Sequence, residues 1–284
     1  MNNNREPVDH GEKEVEDLEI SLLLEGIYRR YGYDFRDYSL AHLRRRLRHR
    51  REISGFSDLG SMLHQVLNDR GVFEQLLRDL SINVTEMFRD PAAYRRVRED
   101  VVPLLKTYPF VKIWHAGCAT GEEVYSMAIL LHEEGLLERC RIYATDFNQV
   151  ALKKAKEGVY PLEYVRQYSK NYQKSGGLAS LADYFRSDNE SMLLRSWLRE
   201  QVLFADHNLV TDTVFSEVQL VVCRNVVIYF NRELQERIFN TFYQSLCPGG
   251  YLWLGSKESL KLLAIGEKFK DLYPEEKIFK KRLQ

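Results

Sequence analysis

The segment His115-Ala-Gly117-Cys-Ala-Thr-Gly121-Glu122-Glu123 sets two glycines four residues apart and follows them with two acids. It lies between an apolar run and a helical pattern carrying Tyr125, Met127, Ile129 and Leu130. A glycine turn between a strand and a helix lets a ligand approach the backbone at the carboxyl end of a sheet, where open α/β folds bind. A dinucleotide site calls for G-x-G-x-x-G. Here the spacing is G-x-x-x-G followed by carboxylates, which repel a diphosphate and suit a cation. S-adenosylmethionine is such a ligand, with a sulfonium, an ammonium, a carboxylate and two ribose hydroxyls but no phosphate. A second run, Ile142-Tyr-Ala-Thr-Asp146, ends in an acid 29 residues after Gly117, where a carboxylate accepts both ribose hydroxyls. Gly117, Glu123 and Asp146 are therefore cofactor candidates. The alternative is that Asp146 only caps the next helix and the glycines make a structural turn.

The run Val221-Val-Cys-Arg224-Asn225-Val-Val-Ile-Tyr229-Phe230 lies where methyltransferases of nucleic-acid amino groups carry an Asn/Asp-Pro-Pro-aromatic signature, and that signature is absent. An amino nucleophile must be held and deprotonated. A carboxylate, with a pKa of about 4.3, is ionised at pH 7 and needs no general base. Methyl transfer from a sulfonium to a carboxylate is an in-line displacement that neutralises two charges, so the task left to a protein is alignment in a dry site. Tyr229 is a candidate to flank the sulfonium or hydrogen-bond the substrate, its bland alternative being a strand-end tyrosine in the core. Upstream, Ser81-Ile-Asn83-Val-Thr85-Glu-Met-Phe-Arg89-Asp-Pro91 offers donors and acceptors, and Arg89 has the planar fork that grips a carboxylate. Read alone, that segment is a capped linker helix.

These residues need elements to position them. The chain has 284 residues, with 41 Lys+Arg balanced by 41 Asp+Glu. That length holds one or two domains with a sizeable core, and the neutral balance argues against a polyanion binder. No apolar run reaches the roughly 18 residues of a membrane helix and the N-terminus shows no secretory signal, so a soluble, cytoplasmic chain is expected. Cys118, Cys140, Cys223 and Cys247 lie far apart with no C-x-x-C, which fits reduced thiols and no metal site.

Residues 1–16 read as a loose polar tail. Leu18, Leu22, Ile27 and Tyr28 predict a first helix ended by Gly32. Ser39 predicts the cap of a second with Leu40, Leu43 and Leu47 on one face, and Ser57 the cap of a third with Leu59, Leu63, Val66 and Leu67. An all-helical N-terminal domain over 17–80 follows. Beyond Pro91 the apolar runs 111–114, 142–144, 202–205, 218–222 and 251–254 alternate with helical patterns. That rhythm predicts a doubly wound, Rossmann-like α/β domain over 81–284. From about 159 to 200 the text is polar, with breakers at Ser175-Gly176-Gly177 and Ser187-Asp188-Asn189, which predicts a small inserted antiparallel β-subdomain.

The stretches NVTEMFRD, WHAGCATGEEVYS, YATDFNQVALKKAKEGVY, FADHNL, VVCRNVVIYFN and LCPGGYLWLGSKESL, collinear from residue 81 onward, resemble the CheR family of chemotaxis receptor glutamate O-methyltransferases. The helical domain and the interruption after Gly158 also sit where that family has its helical domain and small β-subdomain. The resemblance implies an S-adenosylmethionine site lined by Asn83, Thr85, Arg89, Glu123, Asp146, Asn208, Leu209, Arg224 and Asn225, with S-adenosylhomocysteine as product. It implies that Arg89 and Tyr229 lie nearest the reacting methyl group. The substrates it implies are glutamates on cytoplasmic helices of methyl-accepting chemoreceptors. The chain departs from the family pattern at Met87, His115 and Val124, which replace a phenylalanine, a small residue and a proline, and at Ser256-Lys257-Glu258, which replaces a common His-Ser-Glu.

Six arginines crowd the eight residues from Arg44 to Arg51. Like charges at i, i+4 repel, so such a run points to a partner. An acidic methylation helix of a receptor, nucleic acid and an anionic regulator such as a cyclic dinucleotide are the candidates. The receptor helix is favoured, with Arg44, Arg48 and Arg51 as its contacts, because opposite charge steers association. The inserted subdomain is similar to the part that, in some family members, adds a receptor's C-terminal peptide to its sheet edge. A monomer with no nucleic-acid partner and no membrane insertion is expected, a chemosensory regulator being a further partner. The competing readings are a catalytically silent scaffold that keeps the cofactor pocket and an RNA methyltransferase guided by the arginine helix.

Overall fold

Helical spacing of leucines in the first third and short β-branched runs beyond it give the chain two differently built parts. The structure, a computed structural model, describes residues 10–81 and 85–283. The chain packs as two units, Met1–Ile82 with Tyr229–Leu234, and Asn83–Ile228 with Gln235–Gln284.

The first unit contains α1 (His10–Tyr31), α2 (Leu40–Ser54), α3 (Leu59–Asn68) and α4 (Arg70–Leu80). Helix α1 buries Ile20, Leu23, Leu24 and Ile27, an i, i+3, i+4, i+7 stripe. Leu18, Leu22 and Tyr28, expected on that face, are exposed instead, because the leucine-rich segment offers two overlapping stripes and packing selects one. The helix also begins at His10, inside the stretch expected to be a tail. Its Glu16 and Asp17 are ion-paired with arginines of α2, which offsets part of their ordering entropy. Leu43 and Leu47 of α2 are buried, while Leu40 is exposed. Asp58 rather than Ser57 caps α3, in a reciprocal capping box with Ser61, since a carboxylate satisfies helix N–H groups and the dipole better than a hydroxyl. Helix α4, absent from the sequence expectation, is capped by Asp69 and buries Phe73, Leu76, Leu77 and Leu80.

In the second unit, α5 (Pro91–Arg96) runs through a π-turn (Val97–Val101) into α6 (Val102–Leu105). In chain order the strands are β1 (Val111–Ala116), β2 (Cys140–Asp146), β3 (Val159–Pro161), β4 (Phe185–Ser187), β5 (Ser191–Leu194), β6 (Val202–Asp206), β7 (Val218–Cys223), β8 (Leu246–Leu254), β9 (Phe269–Tyr273) and β10 (Ile278–Lys281). The remaining helices are α7 (Glu122–Glu133), α8 (Gln149–Glu157), α9 (Val165–Lys174), α10 (Ser196–Arg199) and α11 (Arg232–Ser245).

The main sheet has the order β6-β2-β1-β7-β8-β10-β9. It is parallel from β6 through β8, and β10 runs antiparallel to both its neighbours. The five expected apolar runs all fall in this sheet. Strands β9 and β10 carry charged residues among their apolar ones, as strands beyond the doubly covered centre do, and no continuous apolar run announced them. The order reverses at β1, which has β2 on one side and β7 on the other. At such a switch point a crevice opens at the carboxyl ends of the strands. The inserted segment folds as a three-stranded antiparallel sheet, β3-β5-β4, in agreement with expectation. Among the described residues no helix is long and apolar enough to cross a membrane.

Candidate cofactor site

The turn from β1 to α7 is held in an uncommon backbone shape. Gly117, Ala119 and Gly121 have φ of 78°, 49° and 91°. A Cβ on Gly117 would sit 2.6 Å from Cγ2 of Val226, so both the left-handed conformation and the close approach require glycine. The N–H groups of Gly117 and Cys118 donate to the carbonyl of Thr145 at 2.8 and 2.9 Å, tying the turn to the end of β2. There Asp146 is buried. Its Oδ2 accepts from the Ala119 N–H and its Oδ1 from the Asn148 N–H, both at 2.9 Å. Asn148, not Asp146, caps α8, accepting from Val150 and Ala151. Backbone N–H groups thus orient both Asp146 oxygens, and a carboxylate with about four lone-pair sites keeps capacity to accept from a hydroxyl. Burial raises its pKa, against the lowering effect of the backbone N–H groups.

Arg224 directly follows β7, with a side chain only 1% exposed. Its Nη1 donates to Glu123 Oε2 at 2.9 Å and to the Arg89 carbonyl at 3.2 Å, and its Nη2 donates to Asp90 Oδ2 at 2.6 Å. The guanidinium lies 4.5 Å from the Trp253 ring centre. Burial pushes the Glu123 carboxyl up, but the Arg224 charge and His115 together outweigh it and hold the group below the ordinary carboxylate range. His115 is buried, with Nδ1 3.6 Å from Glu123 Oε1, so its departure from a small residue adds a polar neighbour to this carboxylate. The adjacent Glu122 accepts from the Thr120 hydroxyl at 2.6 Å. Burial pushes its pKa to about 7.

The turn after Arg224 has Asn225 at φ 61°. It is fixed by Glu258, whose Oε1 accepts from the N–H groups of Val226 and Val227 at 2.9 and 3.0 Å and whose Oε2 accepts from Gly255 N–H. Glu258 is a positioning residue that the sequence expectation omits. Its signal in the sequence is an acid three residues after Gly255, at the end of an apolar strand.

The structure therefore gathers Gly117, Glu123, Asp146, Arg224, Asn225 and the Arg89 backbone around one turn. Asn208 and Leu209 follow β6. The amide oxygen of Asn208 accepts from Val210 N–H at 3.0 Å, and the neighbouring His207 N–H approaches the Asp146 carbonyl at 3.4 Å. Asn83 lies outside the described residues. Thr85 and Arg89 are half-buried on an irregular segment, with Phe88 and Asp90 at φ 52° and 57°. This segment is not the linker helix that its residues allow, because left-handed backbone interrupts a helix. Phe88 N–H donates to the Ser126 hydroxyl and the Asn171 amide to the Met87 carbonyl, which hold it in place.

Tyr229 belongs to the helical unit. Its carbonyl accepts from Ser39 N–H at 2.8 Å and its ring meets His42 edge to face at 5.3 Å. The arginine run of α2, expected to be kept for a partner, finds counter-charges within the chain. Arg44 and Arg48 pair with Glu16 and Asp17, and Arg50 with Asp79, because residues distant in sequence supply the counter-charges. Arg51 lines a groove of about 910 Å³ beside them.

Residues 83–274 match the family described as CheR methyltransferase, SAM binding domain, and residues 18–81 match CheR methyltransferase, all-alpha domain. A Pseudomonas putida protein named Cher3 is 51% identical over 93% of this chain and 97% of its own length. Proteins named chemotaxis protein methyltransferase are similar at 27% identity in Escherichia coli K12, over 88% of this chain and 87% of that one. The one in Listeria innocua is 26% identical over 82% and 87%. With the glycine turn and the oriented Asp146 falling inside the matched SAM-binding region, the chain belongs to the CheR methyltransferase family and is an S-adenosylmethionine-dependent methyltransferase.

Proposed function

We propose that this enzyme methylates glutamate side chains on cytoplasmic helices of methyl-accepting chemoreceptors, leaving glutamate methyl esters that set sensory adaptation, and that it works in the cytoplasm. The name that relatives carry, chemotaxis protein methyltransferase, supports the chemotactic setting. The observation that carries the choice of substrate is on α2, where Arg44 and Arg48 already take up helix-borne carboxylates, those of Glu16 and Asp17. A surface that receives carboxylates from one helix has the chemistry to receive glutamates from another.

The residues of the β1–α7 turn fit S-adenosylmethionine, since Asp146 offers two oriented oxygens to hydroxyls and Glu123 is kept anionic beside Arg224. When bound, S-adenosylmethionine supplies an electrophilic methyl group on a positively charged sulfur. Asp146 would hold the ribose hydroxyls, with Asn83, Thr85, Gly117, Glu123, Asn208, Leu209, Arg224 and Asn225 completing the lining. Arg89 would grip the substrate carboxylate through its fork, its main chain anchored by the bond from Arg224 to its carbonyl. Tyr229 would flank the reacting centre or hydrogen-bond the substrate. No base is needed, because the nucleophile is ionised before it arrives.

The test is transfer of labelled methyl groups to chemoreceptor-containing membranes. Incorporated label should be released by mild base, as an ester is, and incorporation should fall at least about 100-fold in Arg89→Ala. Base-stable label would assign the methyl group to nitrogen and overturn the reading.

A further inference from the structure

We infer that the first turns of α1 are a built-in competitor for the arginine face of α2, an acidic helical segment occupying the places where an acidic partner helix docks. The inference rests on the reading of Arg44, Arg48 and Arg51 as the substrate face. These residues stand at i, i+4 and i+7, one stripe along α2. Arg48 grips Glu16 with its fork, Nε to Oε1 at 2.5 Å and Nη2 to Oε2 at 2.7 Å. Arg44 approaches the same carboxylate from its other side, Nε to Oε2 at 3.1 Å, and also holds Asp17. Two of the three arginines are therefore already holding carboxylates.

What holds this segment decides whether it can leave. Among the described side chains of α1, none before Ile20 is buried. Val15 and Leu18 are 59% and 60% exposed. The apolar anchor of the helix, Ile20, Leu23, Leu24 and Ile27, lies entirely further along. Among the described side chains, the segment 10–19 is thus fastened to α2 by ion pairs, with no buried apolar residue before Ile20. Arg48 and Asp17 are 53% and 35% exposed while Arg44 and Glu16 are half-buried at 20% and 15%, so water reaches one side of each outer pair, and pairs reached by water are weak and exchange. The three arginines and Glu16 line one solvent-open groove, and Arg51 in it has no ion pair to a carboxylate among the described residues. An incoming carboxylate helix can engage Arg51 first and then displace Glu16 from Arg48 and Arg44, since each new pair replaces one of the same kind.

A competitor of this kind reduces the fraction of enzyme ready to bind, and apparent affinity falls by that fraction. The test compares Glu16→Gln/Asp17→Asn with Glu25→Gln/Glu74→Gln, which makes the same charge change at pairs with Arg29, Arg36 and Arg70, none of them an arginine of α2. Methylation of chemoreceptor-containing membranes is followed at fixed S-adenosylmethionine. The first variant should lower KM for the membranes by roughly three- to tenfold with kcat and S-adenosylhomocysteine affinity unchanged. Amide exchange over 10–19 should quicken while 20–31 stays protected. The control should match the parent enzyme. An unchanged KM in the first variant, while Arg44→Ala/Arg48→Ala/Arg51→Ala raises it, overturns the competitor and leaves the substrate face standing. An equal fall in the control overturns it as a general charge effect. If the triple arginine variant also leaves KM unchanged, the substrate face itself is wrong and the inference falls with it.

Discussion

Arg224 Nη1 and Glu123 Oε2 meet at 2.9 Å, joining the end of β7 to the first turn of α7 across the glycine turn. The arginine is sealed from solvent and shared with Asp90 and the Arg89 carbonyl. Removing one member of a buried pair strands the other charge, at a cost of about 3–5 kcal/mol. Arg224→Met should lose that much in urea unfolding and also weaken S-adenosylhomocysteine at least about tenfold, as Glu123 moves or takes up a proton. A variant with parental stability would show that the pair is not the tie described.

Asp146→Ala removes the oxygens that orient the turn and, on the proposed assignment, the ribose contacts. The Ala119 and Asn148 N–H groups lose their acceptor, which costs about 1–3 kcal/mol. Calorimetric titration should find S-adenosylhomocysteine bound about 100-fold more weakly. A change below threefold would remove Asp146 from the cofactor site.

Glu122 gives a pH dependence whose sign can be worked out. Burial raises its pKa from 4.5 to about 7, so between those values the folded state holds a proton that the unfolded state has lost. Stability therefore falls as pH rises from 4.5 to 7, by about 3 kcal/mol in all, and does not recover above 7. Glu122→Gln should flatten this slope and be more stable than the parent at pH 8. Urea midpoints at pH 5 and pH 8 would check it, and parallel pH profiles would refute it.

Glu258 receives the backbone N–H groups of Val226, Val227 and Gly255. Glu258→Ala should cost about 3 kcal/mol or more in stability, lowering Tm by roughly 6–12 °C for a chain of this size. Loss of activity should accompany it, because the Asn225 turn depends on the same bonds. Scanning calorimetry with parallel initial rates separates the two effects, and an unchanged Tm would contradict the role.

The residues most legible in sequence are those whose chemistry is local. Gly117 and Gly121 mark a backbone shape that other residues rarely adopt, and continuous apolar runs mark the central strands that are covered on both faces. Strands β9 and β10 lacked such runs. Helix α1 exposed the limit of periodicity, since Leu18 and Leu22 satisfy helical spacing as well as Ile20 and Leu24 do.

Spacing and side-chain type alone determined the strand–turn–helix at Gly117, the acid closing β2, the inserted antiparallel segment and the kind of cofactor, because each is written in consecutive residues. Only the tertiary structure decided that Arg224 answers Glu123, that Glu258 fastens the Asn225 turn and that Glu16 and Asp17 neutralise Arg44 and Arg48. Those pairings join residues that are 101, 32 and about 30 positions apart. Coulombic and hydrogen-bond energies depend on distance in space, which a sequence states only for near neighbours.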